Sequence, residues 1–453
     1  MLDSVRTVEV KAMPKLYIKT YGCQMNVYDS EKIANILQAS HNMELVNDPK
    51  DADLILLNTC AIRGKAEQKV FSDLGRFRAF KKKRPEMIIG VGGCVATESG
   101  KKILERAPYV SIIFGPQTLH RLPVLYDEAS ESAKRSIDIR LLKNEKFQHF
   151  PPAKSNGPLA YVTIMEGCNR FCSYCIVPFT RGREISRPFQ DVLTECEILA
   201  SQGVKEIHFL GQNVNAYKAD DKNLADLIRE TAKIPGILRL RFTTSHPADF
   251  SERLIEVFAD TPTLANHLHL PVQHGSNRIL EAMRRNYTVL EYKEKVKKLR
   301  QIRPNISVST DFIVGFPGET EEDFEKMLDL VEEVKFDQSF SFIYSPRPNT
   351  KAALLADDMP LAVKKVRLAK LQKALSKHAN LISESMLNIP QKVLVVGSSR
   401  KNTKELSGRT ENNRIVNFLG PADLISQIVE VKITGVLTNS LRGEMCESIL
   451  FRR

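Results

Sequence analysis

Strand-sized apolar runs and amphipathic stretches alternate along most of the chain, and the rhythm changes near its middle and again near its end. From Lys15 the run LYIKTYGC is followed by a helical stretch from Ser30, then by ADLILLNTC ending at Cys60. A second helical stretch follows, with Arg63 to Phe80 as its body, and then MIIGVGGC ending at Cys94. Short β-rich runs separated by helices predict an open parallel α/β sheet. The three runs each end on a cysteine, at intervals of 37 and 34 residues, about one strand-helix unit apiece. This first domain is placed at residues 14–130. From 131 to 157 the pattern turns polar around Pro151 and Pro152, as expected of a linker.

A longer series then begins. AYVTIMEGC, EIHFLGQN, RLRFTTSH, HLHLPVQHG, SVSTDFIVGF and QSFSFIYSP read as six strands ending near Cys168, Asn213, His246, Gly275, Phe316 and Pro346. Helical stretches such as Asp191 to Ser201 and Glu321 to Val334 lie between them. Six βα units fall short of the eight that close a barrel, so residues 158–386 predict a partial (β/α)6 barrel. Its last helix, about Leu361 to Leu387, carries Lys364, Lys365, Arg367, Lys370, Lys373 and Lys377, which read as a mostly solvated face that could also lie along a phosphate backbone. After Pro390 short alternating strands with glycine turns predict a small antiparallel β-barrel over 387–453.

Composition adds a partner class. Basic residues exceed acidic ones by twelve, with a pI near 9.2, which suits a polyanion or simply a soluble basic surface. The last domain holds 10 basic and 6 acidic residues from Gln391 onward. The run KKKR at 81–84 reads as a solvated helix end, with a specific nucleic-acid contact as the alternative. Eight cysteines are too sparse for a disulfide scaffold, and no basic segment followed by an apolar stretch opens the chain. No run of about 18 apolar residues occurs either, so a cytoplasmic protein without a membrane association is expected.

The densest chemistry is GCNRFCSYC at 167–175, where Cys168, Cys172 and Cys175 stand at C-x3-C-x2-C. Three thiols on one loop stop short of the four ligands of a closed zinc site, whereas a cubane iron-sulfur cluster held by three cysteines keeps one iron open. Cys23, Cys60 and Cys94 fall at the C-terminal ends of three parallel strands, the end where ligands bind, and read as a second metal site. Gly22, Gly92 and Gly93 beside them let backbone approach a bulky cofactor. Cys196 and Cys446 read as small core hydrophobes. A zinc-bearing RNA-binding protein without catalysis is the competing class.

These motifs carry a resemblance. The loop 167–175, with Tyr174 before its last cysteine, is similar to the signature of radical S-adenosylmethionine (SAM) enzymes, whose open iron is chelated by SAM. TYGCQMNVYDS from Thr20, LLNTCAIRGKAEQKVFSDLGR from Leu56, GCVA from Gly93 and MEGCNRFCSYCIVPFTRGREISRP from Met165 extend it. So do LGQNVNAY from Leu210, RFTTSHP from Arg241, LHLPVQHGSNRIL from Leu268, TDFIVGFPGETEEDFE from Thr310, SFIYSPRPNT from Ser341 and GRTENNR from Gly408. Over nearly its whole length the chain resembles the radical-SAM methylthiotransferases. CQMN at Cys23 to Asn26 and RTENNR at Arg409 to Arg414 look like the MiaB-type branch, which methylthiolates isopentenyl-adenosine beside the tRNA anticodon. Sister branches act on a ribosomal protein or on threonylcarbamoyl-adenosine.

The resemblance implies a methylthiotransferase domain, a radical-SAM partial barrel and a C-terminal TRAM domain. It implies two [4Fe-4S] clusters, an auxiliary one on Cys23, Cys60 and Cys94 and a SAM-binding one on Cys168, Cys172 and Cys175. An electron passed to SAM then releases a 5′-deoxyadenosyl radical, and a second SAM methylates a sulfur on the auxiliary cluster. The implied partners are a tRNA anticodon stem-loop and an electron donor such as flavodoxin or ferredoxin, the enzyme acting as a monomer; the sulfur donor is left open. Tyr174, Gln212, Asn213, Ser245, Gln273 and Asp311 are candidates for SAM or substrate contacts, with loop-structural roles as the alternative for Gln212 and Asn213. His246 shares that position, His267 and His269 read as structural strand residues, and Arg181, Arg183 and Arg187 are candidates either for tRNA phosphates or for internal ion pairs.

Overall fold

The computed structural model describes residues 13–61, 65–131, 134–141, 145–155 and 157–446, so Arg63 and residues 447–453 lie outside the described residues. The chain divides into two compact units at Pro151/Pro152.

In the first unit, β1 (Lys15–Thr20), β2 (Glu44–Leu45), β3 (Leu54–Thr59), β4 (Ile88–Gly93), β5 (Ile112–Phe114) and β6 (Ser136–Asp138) form one parallel sheet in the order β2-β1-β3-β4-β5-β6. β3 and β4 are buried along their whole length, as LILLNT and IIGVGG require when both faces are covered. Helices α1 (Gln24–His41), α2 (Lys65–Lys83), α3 (Cys94–Arg106) and α4 (Leu122–Glu131) supply that cover. The stretch 131–157 is not a free connector: Ser136, Ile137 and Asp138 pair with β5. Three residues with a single apolar side chain give almost no periodic signal, which is why an edge strand there reads as a linker.

The second unit opens with a run of parallel strands: β7 (Leu159–Thr163), β8 (Glu206–Leu210), β9 (Arg239–Phe242), β10 (His267–His269), β11 (Ser307–Ser309), β12 (Asp311–Val314) and β13 (Phe340–Ile343). β7, β8 and β9 pair in order, β10 pairs with β11 and β12 with β13, and bridges at Leu240–Leu264 and Gln273–Phe312 join these pieces into an open six-position barrel. The fifth expected strand is broken in two at Thr310. Its hydroxyl accepts from Val272 N (2.9 Å) and donates to Leu270 O (3.0 Å), taking over hydrogen bonds that the ladder would otherwise make.

The long helix, Leu361–Glu384, exposes Lys365, Lys370, Lys373 and Lys377, so its basic face is mostly solvated as expected, with two exceptions. Lys364 is buried on Asp357, and Arg367 is buried on Glu319 (2.7 Å) and Glu321 (2.6 Å). β14 (Pro390–Ser398), β15 (Glu405–Arg409), β16 (Ile415–Leu419), β17 (Ile428–Val436) and β18 (Leu441–Met445) close a five-stranded barrel in the order β14-β15-β16-β18-β17. It is antiparallel except at β16–β18, where a parallel pair completes the closure.

The turn from Thr410 to Arg414 anchors this barrel to the larger one. Arg241 donates to Thr410 O (2.7 Å) and Glu411 O (2.6 Å), and Arg239 donates to Arg409 O (2.9 Å), both guanidinium groups being paired with buried Glu206. Arg414 in turn is buried against Asp337, with Nη1 2.7 Å from Oδ2. The RTENNR stretch is thus spent on holding the fold together.

Candidate functional site

Two three-thiol constellations stand at the C-terminal ends of parallel strands, one in each unit. In the first, Cys23 precedes α1 as its N-cap, Cys60 directly follows β3, and Cys94 begins α3 where β4 ends. Cys60 and Cys94 are buried and Cys23 is half-buried. Both α1 and α3 begin at one of these cysteines, where the positive end of the helix dipole favours an anionic group. Gly22 has φ +110°, and a Cβ on it would lie 2.2 Å from Cys60 Cβ, so only glycine lets the first and second loops approach this closely.

An amide pair missing from the expected residues ties these loops together. Asn26 Nδ2 donates to Asn58 Oδ1 (3.1 Å) and Thr59 O (3.0 Å), while Asn58 Nδ2 donates to Asn26 O (2.9 Å). Cys23 Sγ lies 3.4 Å from Asn26 Oδ1. CQMN and LLNTC placed each asparagine beside a cysteine, but nothing in the sequence pairs them.

In the second unit the loop after β7 is closed at its base by a two-residue antiparallel pair, Met165–Glu166 with Ile185–Ser186, and by a buried Arg181–Glu166 ion pair at 2.6 Å. Arg187 is likewise buried on Glu195 at 2.6 Å, so of the three candidate phosphate-binding arginines only Arg183 is exposed. Gly167, at φ +78°, sits where a Cβ would lie 2.0 Å from Arg183 O. The last turn of the loop is held by Ser173, whose N–H donates to Met283 O (3.0 Å) and whose hydroxyl donates to Ala282 O (2.8 Å). Tyr174 packs against the cluster of Ile279, Met283, Phe316 and Tyr344.

Gln212 and Asn213, after β8, both support the cysteine loop. Gln212 accepts from Gly167 N–H; Asn213 Nδ2 donates to Asp249 Oδ2 (2.7 Å), which also receives Arg170 Nε (2.7 Å). Asn213 Oδ1 and Ser245 Oγ are buried without a hydrogen-bond partner, which leaves two polar atoms for a ligand at the strand ends. Gln273 adopts φ +74° and is half-buried, its N–H donating to Asp311 O at 2.8 Å. Asp311 Oδ2 lies 3.5 Å from His269 Nε2, and His267 and His269 both reach Ser309 Oγ, at 3.1 and 3.0 Å. Cys196 is fully buried in the core and Cys446 half-buried.

Arg285 and His246 complete the surroundings of Cys172. Arg285 Nη1 lies 3.4 Å and His246 Nε2 4.0 Å from its sulfur, and Arg285 is fixed by Pro271 O (2.8 Å) and Tyr287 OH (3.0 Å). Arg170 N–H points at Cys168 Sγ from 3.5 Å. Burial pushes the Cys168 thiol up to about 11 and the Cys175 thiol to about 12, and it pushes His246 down to about 2, aided by Arg285. The thiols of Cys168 and Cys175 are therefore protonated at neutral pH, and a metal must release those protons as it binds. Among the described residues, no group of three His, Cys, Asp or Glu side chains converges tightly enough for a single ion. Three thiols flanked by N–H donors and a guanidinium fit a [4Fe-4S] cluster, in which each thiolate takes a different iron and the sulfurs accept hydrogen bonds.

Residues 162–331 match a family profile described as the Radical SAM superfamily, residues 15–115 one described as uncharacterized protein family UPF0004, and residues 385–446 the TRAM domain. A protein of Legionella pneumophila (strain Corby) named tRNA-2-methylthio-N(6)-dimethylallyladenosine synthase is 58% identical over 438 residues, 96% of this chain and 98% of that one. The chain belongs to the tRNA-2-methylthio-N(6)-dimethylallyladenosine synthase family. A relative of the same name from Burkholderia thailandensis is 56% identical over 95% of this chain and 97% of its own. One from Francisella tularensis subsp. holarctica is 57% identical over 96% and 100%.

Among solved structures, the radical SAM methyltransferase TsrM from Kitasatospora setae superposes with TM-score 0.56 at 16% identity, over 76% of this chain and 77% of that one. The cobalamin-dependent SAM radical enzyme OxsB gives 0.54 at 13% identity, over 81% and 56%. At these identities the likeness is one of fold alone. This family membership makes the chain a radical SAM enzyme, one that uses SAM and a [4Fe-4S] cluster, with a TRAM barrel at its C-terminal end.

Proposed function

We infer that this enzyme converts N6-isopentenyl-adenosine beside the anticodon of tRNA to its 2-methylthio derivative. The observation that carries this reading is collinear identity of more than half over nearly the full length of relatives bearing that activity in their names. The hydrogen replaced is an aromatic C–H without acidity, so general acid-base groups cannot remove it and the hard step belongs to the cofactor. When bound, cluster and SAM together supply a carbon-centred radical able to abstract that hydrogen.

The chain's own residues bind, orient and exclude water. Cys168, Cys172 and Cys175 hold the SAM-binding cluster; Gln212, Asn213 and Asp249 fix their loop from behind, and Arg285 faces Cys172 with a positive charge. Ser245 Oγ and Asn213 Oδ1 offer free polar atoms for SAM, with Tyr174, Gln273 and Asp311 bordering the same strand ends. Cys23, Cys60 and Cys94 would hold a second [4Fe-4S] cluster, which would supply the sulfur. The domains divide at 14–130, 158–386 and 387–453, with the edge strand Ser136–Asp138 belonging to the first. The enzyme works in the cytoplasm as a monomer, with a flavodoxin- or ferredoxin-like donor of electrons. Among the described residues no helix is long and apolar enough to cross a membrane.

The deciding experiment is mass spectrometry of tRNA nucleosides from a deletion strain. Loss of the 2-methylthio nucleoside with accumulation of isopentenyl-adenosine, restored by the intact gene, is expected. An unchanged nucleoside profile, with a modification missing from a ribosomal protein instead, overturns the reading.

A further inference from the structure

A groove of about 580 Å³ lies between the start of β13, the C-terminal half of the helix Leu361–Glu384 and the turn before β18. Gln338, Gln372, Asn380, Thr438 and Asn439 line it with amides and a hydroxyl, and no carboxylate does. Its one charged side chain, Arg414, is neutralised by Asp337. Phe340 forms part of the wall. Together with Phe342 it breaks the usual rule for aromatic rings: the two are 56% and 43% exposed, and they stack with centroids 6.5 Å apart and planes 15° apart. β13 is an open edge, pairing only with β12 among the described strands, just as β7 at the other edge pairs only with β8.

Such a surface suits one kind of occupant. Exposed rings also serve protein interfaces, but this groove joins them to amides and carries no carboxylate that would repel a phosphate backbone. Flat rings stack on any nucleobase, and amides match the donors and acceptors on base edges and ribose. On the helix, Gln372, Ser376, Ala379 and Ser383 recur at helical spacing along the groove; Lys365, seven residues before Gln372, extends the same face and is exposed where a phosphate would pass. From Phe340 to Ile343 the strand climbs about 10 Å toward the barrel end that carries the cysteine loop.

We propose that the Phe340–Phe342 pair and this groove are the docking path of an unpaired stretch of the RNA substrate, which stacks on the rings and runs along the open barrel edge toward the cysteine loop. The proposal rests on the tRNA reading above and adds where the RNA lies.

The test uses the cluster-loaded full-length enzyme under anaerobic conditions and a fluorescently labelled anticodon stem-loop containing isopentenyl-adenosine. Replacing both rings, Phe340→Ala with Phe342→Ala, is expected to weaken binding about ten- to hundredfold, with an unchanged dependence on salt because no phosphate contact is lost. Phe340→Tyr with Phe342→Tyr is expected to restore it, and SAM cleavage without RNA is expected to stay at the wild-type rate. Gln372→Glu, at an exposed helix position that the fold does not need, is expected to weaken RNA binding by placing a carboxylate in the groove. Binding within twofold of wild type for both the alanine pair and Gln372→Glu overturns the proposal. Intact RNA binding with loss of modification in cells assigns the groove to a protein partner and also overturns it. A wild-type enzyme that binds no RNA brings down the tRNA reading itself, a result distinct from either.

Discussion

Asn26 and Asn58 hold each other across 32 residues of sequence, each side chain satisfied by the other residue, and the pair joins the loops that carry Cys23 and Cys60. Both are buried, so truncating one leaves the other with unmet hydrogen bonds at a cost of about 1 to 3 kcal/mol. Asn26→Ala is expected to lower iron and acid-labile sulfide per chain while SAM cleavage at the other loop continues. Full cluster occupancy in this variant contradicts a positioning role.

The two cysteine sets are separable by substitution. Cys168→Ala is expected to abolish both SAM cleavage and thiolation, whereas Cys23→Ala leaves 5′-deoxyadenosine production largely intact and abolishes thiolation. Methylthiolated tRNA made by the Cys23→Ala protein would remove the auxiliary site from the mechanism.

Arg285 faces the Cys172 sulfur from 3.4 Å, and a positive charge beside a cluster favours its reduced, more negative form. Arg285→Met is therefore expected to move the reduction potential of the SAM-binding cluster downward and to slow SAM cleavage. Electron paramagnetic resonance during a redox titration reads this directly; an unchanged midpoint shows that the guanidinium only braces Pro271 and Tyr287.

Burial drives His208 down to about 3 and His267 down as well, assisted for both by the charge of Arg241. Because the folded state binds fewer protons than the unfolded one, stability is complete above the unfolded pKa of 6.5 and is lost as pH falls below it. Between pH 7 and 5, His208 alone accounts for a loss of about 2 kcal/mol. Denaturant midpoints at the two pH values check this, and His208→Gln should reduce the difference by about that amount.

Asp337 receives Arg414 from the small barrel, both being buried. Asp337→Ala strands a guanidinium out of water and is expected to destabilise the unit by about 3 to 5 kcal/mol, seen as a lowered Tm. A Tm within two degrees of wild type contradicts the anchoring role of the Thr410–Arg414 turn.

The alternation of apolar runs and the spacing of six cysteines were enough to determine three successive folds and to put both thiol sets at strand ends, because these depend on period and on neighbours within a few residues. Edge strand β6 escaped because three residues carry no period, and the break at Thr310 escaped because a hydroxyl's choice of partner is a matter of tertiary contact. The arginines show the division most clearly. Arg181, Arg187, Arg241, Arg367 and Arg414 look alike in sequence to any phosphate-binding arginine, yet each is buried on a carboxylate brought from another element. Charge and type are written locally, but burial is a property of the assembled chain. Only the tertiary structure decides whether a cation meets water, a phosphate or a carboxylate, and the same holds for Asn26 with Asn58 and for Arg285 beside Cys172.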